Sequence, residues 1–122
     1  MNAINWFEIP TANFERAIAF YEKIFAAKLT LNASFPGMRM AVFPYAQPGI
    51  GGCLFEFEQA RPHADGVRIY LNGGDNLATI LDRVHAAGGQ IVMPKTLINA
   101  EIGYIGMFND SEGNIVGLHS MG

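Results

Sequence analysis

The feature that most constrains this chain is that it reads twice. A β-prone run at 4–9 closes at Pro10, and Thr11 or Asn13 can cap the helix that follows. In that helix Phe14, Ala17, Ile18, Tyr21 and Phe25 recur at three- and four-residue steps, while Glu15, Glu22 and Lys23 can stay in water. Three β-prone stretches come next, at 28–34, 38–45 and 53–58, separated by Pro36 and Gly37 and by the turn residues of 48–52. The order then returns: a strand at 67–72, a turn at Gly73, Gly74 and Asp75, a helix over 76–87 with Leu77, Ile80, Leu81 and Val84 as its stripe, Gly88 and Gly89 as its stop, and strands at 90–93, 104–108 and 114–119. A shift of roughly 63 positions lays Phe14, Ile18 and Tyr21 onto Leu77, Leu81 and Val84. These two β-α-β-β-β halves, joined by the turn-rich 61–66, predict an α+β fold in one domain over 1–122. Module one covers about 1–60 and module two about 66–120.

Length agrees, because 122 residues can bury one core but not two. Half the residues are hydrophobic and 16% are charged, which excludes disorder and leaves little charge for a free monomer's surface; a homodimer is therefore expected. The net charge of -3, with Lys and Arg scattered singly, excludes the basic stripe that nucleic acid or an anionic membrane would require. Cys53 is alone and cannot form an internal bridge. No apolar run approaches the roughly 18 residues of a membrane span, and residues 1–4 lead directly into structured sequence without a leader, so a cytoplasmic protein is expected.

Three local patterns carry a family likeness: Phe20 and Tyr21 late in the first helix, Gly88 and Gly89 after the second, and the run Asn109, Asp110, Ser111, Glu112, Gly113, Asn114 before the last strand. In this order and spacing they resemble the vicinal oxygen chelate superfamily, which includes glyoxalases, bleomycin-resistance proteins and extradiol dioxygenases, although Ser111 stands where that turn usually has proline. The resemblance spans nearly the whole chain. It implies two modules whose curved mixed sheets surround a cup, and in metal-using relatives one His, Gln or Glu from each of four strand positions. Counted by strand register, the first falls at or near Ile4, the third at or near Arg68 and the fourth at Gly117; the second is either Phe55 or its neighbour, or Glu56. At best one of these is a ligand type, whereas a divalent ion needs roughly four to six donors. His63, His85 and His119 form no pair at metal-binding spacing, so no cofactor is expected, a divalent metal being the alternative.

Strand alternation proposes what lines the cup. If Phe7, Ile9, Val67, Ile69 and Leu71 lie under the helices, then Trp6, Glu8, Arg68, Tyr70 and Asn72 face the other way, and His119, on the Gly117 face, can join them. Aromatic walls with a few convergent polar groups suit a small organic ligand. Each residue also has a plain structural role available: Glu8 and Arg68 as an ion pair satisfying each other, Trp6 and Tyr70 as packing, His119 as a solvated end. Glu56 and Glu58 alternate with Phe55 and Phe57 as a solvated strand face would, and Cys53 reads as a small core residue. Residues 94–96 and 99–103 read as a loop beside the cup, either a lid or an ordinary connection. Gly49 to Gly52 lead into a strand and so form no phosphate cradle, and no elbow motif marks a nucleophilic serine.

Two functions remain open from sequence. One is a metal-free protein that binds a small organic ligand, comparable in kind to bleomycin-binding relatives. The other is a glyoxalase-like lyase or isomerase, or a dioxygenase, with a divalent metal or with Glu8, Glu56 or His119 as base. An interaction module with an empty cup is a third possibility.

Overall fold

The computed structural model describes residues 2–34 and 36–122; Met1, read above with its neighbours as leading directly into structured sequence, lies outside them. Strand β1 (Trp6–Pro10) is followed by α1 (Phe14–Phe25), β2 (Thr30–Asn32), β3 (Met38–Val42) and β4 (Gly51–Phe57). The second half runs β5 (Tyr70–Asn72), α2 (Ala78–Leu81), α3 (Val84–Ala87), β6 (Gln90–Asn99), β7 (Gly103–Asn109) and β8 (Ile115–Ser120). Each half makes its own four-stranded sheet, ordered β1-β4-β3-β2 and β5-β8-β7-β6, with one parallel pair and two antiparallel pairs in each. This is the expected α+β fold of two mixed sheets. Among the described residues no strand pairing joins the two sheets, so β1 and β5 are each an edge of their own sheet.

The helical stripe of α1 explains the packing. Phe14, Ala17, Phe20, Tyr21 and Ile24 are buried along it. Asn13 caps its start through an Arg16 N–H to Asn13 Oδ1 bond of 3.0 Å. The stripe serves both halves: Tyr21 meets Phe43 beyond β3, and both Phe20 and Tyr21 meet Phe108 on β7. One continuous core therefore takes Ile9, Ala41 and Leu54 from the first half and Leu71, Leu77, Val84, Val116 and Leu118 from the second. Truncating any of its large buried side chains to alanine should cost about 3–5 kcal/mol.

Three expectations are corrected. The helix expected over 76–87 is two short pieces, because the ladder tightens where Arg83 N–H bonds Ile80 O rather than the carbonyl four residues back. The strand expected at 67–72 shortens to Tyr70–Asn72. The loop expected at 94–103 is mostly strand: β6 runs to Asn99 and only residues 100–102 turn. Pro94 is tolerated because β6 is an edge strand with irregular register between Met93 and Thr96, where a missing N–H need not break a ladder.

Candidate functional site

The faces of the two sheets that point away from the helices hold the candidate residues. In β1, Ile9 is buried and Phe7 packs on the core, which turns Trp6 and Glu8 outward. Glu8 lies opposite Cys53, and Pro10 opposite Phe55. Phe55 therefore shares the outer face, while Glu56 is on the helix side, where Arg39 binds it in a two-pronged ion pair with Nε to Oε1 at 2.8 Å. Of Phe55 and Glu56, Phe55 is the one that faces outward. The Arg39 guanidinium also reaches Glu15 and covers the Phe14 ring, and its hydrogen bonds hold the Glu56 carboxyl below its usual range.

Trp6 stands opposite Gly51, and the ring of Tyr45 covers that glycine, meeting Trp6 edge-on with centroids 6.0 Å apart. The second sheet repeats the device: Tyr70 lies opposite Gly117, and a Cβ there would overlap the Tyr70 ring. A side chain at either glycine would displace the aromatic platform. Tyr45 was missed from sequence because it lies past the end of β3, where strand alternation does not place a side chain.

Arg68, just before β5, sends its Nη1–H to the thioether of Met107 at 2.8 Å. Asn72 accepts the Gly74 N–H at 2.9 Å, closing the turn after β5. His119 lies opposite Asn72 on β8, and its Nε2 is 2.5 Å from the carbonyl oxygen of Ile102. A carbonyl can only accept, so Nε2 carries the proton and a neutral ring leaves Nδ1 as an acceptor. The structure thus brings Tyr70, Asn72 and His119 onto one face, with Arg68 at its margin, and Trp6 and Glu8 onto another. It does not bring Glu8 and Arg68 into an ion pair: among the described residues neither has an oppositely charged partner.

Cys53, opposite Glu8, is fully buried. Burial, and then the negative charge of Glu8, push its thiol up to about 12, against a smaller opposing effect from a Trp6 hydrogen bond. It is therefore protonated at neutral pH, and neither a nucleophile nor a ready metal ligand.

Matching hydrogen bonds align the two halves: Thr11 N–H bonds Phe55 O, and Gly73 N–H bonds His119 O. Counting along each strand from these marks sets Trp6 against Arg68 and Cys53 against Gly117. The four positions that the resemblance assigns to metal donors become Trp6, Cys53, Arg68 and Gly117, which shifts the first from Ile4 and the second from Phe55. An indole, a protonated thiol, a guanidinium and a glycine do not fit a divalent ion. No group of three or more His, Cys, Asp or Glu side chains with metal-holding geometry occurs among the described residues.

A groove of about 1000 Å³ runs along residues 67–72 and is walled by Phe7, Phe25, Phe43, Ile69, Leu71 and Ile80. Arg68 is the one charged residue in its lining. Among the described residues no helix is long and apolar enough to cross a membrane.

These features can be set against known proteins. Residues 3–118 match the Glyoxalase/Bleomycin resistance protein/Dioxygenase superfamily, and the chain belongs to that family. A glyoxylase/bleomycin resistance protein/dioxygenase domain from Frankia sp. EAN1pec superposes with a TM-score of 0.73 at 12% identity, covering 98% of both chains. A V278E mutant of maize (Zea mays) glyoxalase I gives 0.69 at 20% identity over 96% of this chain and 45% of that one. The hypothetical protein SA1046 from S. aureus gives 0.63 at 20% identity, covering 98% of this chain and 94% of its own. No curated protein matches significantly.

Proposed function

We propose that this member of the family binds a small organic ligand on the outer faces of its two sheets, without a divalent metal, and acts in the cytoplasm as a homodimer. The observation that carries the reading is the composition of those faces. Trp6, Tyr45 and Tyr70 are each more than one-third exposed, Tyr45 laid over Gly51 and Tyr70 over Gly117, with Glu8 and Arg68 beside them lacking an ion partner among the described residues. Aromatic area supplies affinity and unpaired polar groups supply orientation. The misfit of Trp6, Cys53, Arg68 and Gly117 to an ion supports the metal-free part.

Two further observations support pairing with a second copy. The free edges of β1 and β5 carry backbone groups that a neighbouring strand can satisfy. Exposed Ile4 and the almost fully exposed Val67 add apolar area that a second chain would remove from water.

The test is metal content by mass spectrometry on protein purified without a metal-affinity column, followed by thermal shift with nickel, zinc, manganese and iron(II). The expected result is no stoichiometric metal and no stabilisation by any ion. Near-stoichiometric metal, or a strong shift with one ion, would overturn the metal-free reading in favour of a glyoxalase-like or dioxygenase enzyme.

A further inference from the structure

Arg68, at the margin of the second sheet's outer face, has no oppositely charged partner among the described residues. It is half-buried, and a guanidinium has five N–H donors, yet the hydrogen bond it makes within the chain is to the Met107 thioether, a weak acceptor. Its position at the margin of the apolar groove leaves it without a carboxylate neighbour, since the groove's lining has no acidic residue. Two residues along on the same face stands Tyr70, its ring laid over Gly117 and 45% exposed.

A planar fork of donors beside an apolar wall is the arrangement that recognises an anionic oxygen group on an otherwise apolar molecule. We infer that the ligand of this protein is an apolar organic anion, its carboxylate or phosphate received by Arg68 and its aryl or alkyl body lying against Tyr70, Met107 and the groove. This inference rests on the ligand-binding reading above and narrows it to a chemical class. Carboxylate and phosphate share the recognising chemistry, and the experiment separates them.

Four probes with one body are titrated against the full chain: 2-naphthoate, 2-naphthyl phosphate, the neutral 2-naphthamide and the 2-naphthylmethylammonium cation. Calorimetry reads affinity, and quenching of Trp6, the one tryptophan, reads proximity to the first sheet. One or both anions should bind at least tenfold more tightly than the amide, and whichever is tighter identifies the source. Arg68→Gln should remove that preference while leaving the thermal unfolding profile in place. Arg68→Lys, which keeps the charge but loses the fork, should retain part of it. Should the amide or the cation bind as well as the anions, or should Arg68→Gln leave anion affinity unchanged, the anionic class is wrong while the ligand-binding reading stands. If no probe binds, both fall together.

Discussion

Two polar regions of this molecule differ in how their demands are met. In the turn at 109–114 the two carboxylates are saturated, although Asn109 Oδ1 is buried without a partner among the described residues. Asp110 accepts the Tyr21 hydroxyl at 2.8 Å, the backbone N–H groups of Glu112 and Asn114 at 2.8 and 2.9 Å, and the Asn114 amide at 3.0 Å. Glu112, its side chain fully buried, accepts from Arg16, from the backbone N–H groups of Ala12 and Asn13, and from the Ser111 hydroxyl. The same Asn114 amide also reaches Pro10 O at 2.9 Å, so this one turn ties the last strand to the end of the first and to the start of α1. On the outer faces, by contrast, Glu8 has no ion partner among the described residues and Arg68 donates to a thioether. The carboxylates that hold the halves together are partnered inside the chain, whereas the charges on the outer faces are not paired there among the described residues.

The largest effect that can break this comparison is at Asp110. Asp110→Ala leaves the Tyr21 hydroxyl and two or more N–H groups buried without acceptors, at roughly 1–3 kcal/mol each. The variant should lose about 3–5 kcal/mol in urea unfolding, a large part of a small domain's stability. A loss below about 1 kcal/mol would mean that the turn does not join the halves. Tyr21 is placed to stay a donor throughout, because burial, and then the charge of Asp110, push its hydroxyl well above its ordinary value.

Glu112 sharpens the comparison through pH. Burial alone would raise its carboxyl, but hydrogen bonds from Arg16, the Asn13 backbone, Ser111 and the Ala12 backbone outweigh that and hold it below the ordinary carboxylate range. A carboxyl depressed in the folded state contributes stability that is complete above its unfolded value, about 4.3, and is lost as pH falls through the folded one. Unfolding free energy should therefore fall on acidification below about pH 4.5. Glu112→Gln should lower stability at pH 7 by roughly 1 kcal/mol, Arg16 being half exposed and screened, and should flatten the acid limb. An acid limb of unchanged slope in the variant would assign acid sensitivity to other carboxylates.

How much of this was legible beforehand follows from the range of the interactions involved. The stripe on α1 and the alternation in β1 and β5 are local, and they gave the βαβββ order and the outward side of Trp6, Glu8 and Tyr70. Whether Phe55 or Glu56 shares that side depends on pairing β4 with β1 and β3 across the chain, which no local pattern fixes. The extension of β6 through Pro94 depends on its being an edge, a property of the sheet rather than of the segment. The role of Gly117 was half read: a missing ligand by sequence, it is the platform for Tyr70 in the structure. That Glu8 and Arg68 would not meet was invisible, because they belong to sheets with no shared strand pair.

The smallest expected effect is the one that most directly tests what the outer faces are for. If Glu8 and Arg68 contribute nothing to holding the chain together, neutralising either should change stability by no more than about 0.5 kcal/mol, the range of surface substitutions that break no partnered network. The comparison matters more than either value: Glu8→Gln and Arg68→Gln near zero, beside Asp110→Ala at several kcal/mol, would show that charge was retained on the faces without a folding reason. The double variant should equal the sum of the singles within about 0.5 kcal/mol, because among the described residues no ion pair couples them. Measured as a function of protein concentration, the same cycle reads the second copy as well. A coupling of 1 kcal/mol or more that appears only where the chain is dimeric would mean that Glu8 of one copy meets the partner's Arg68, and the unpaired charges would then belong to assembly instead of to a ligand.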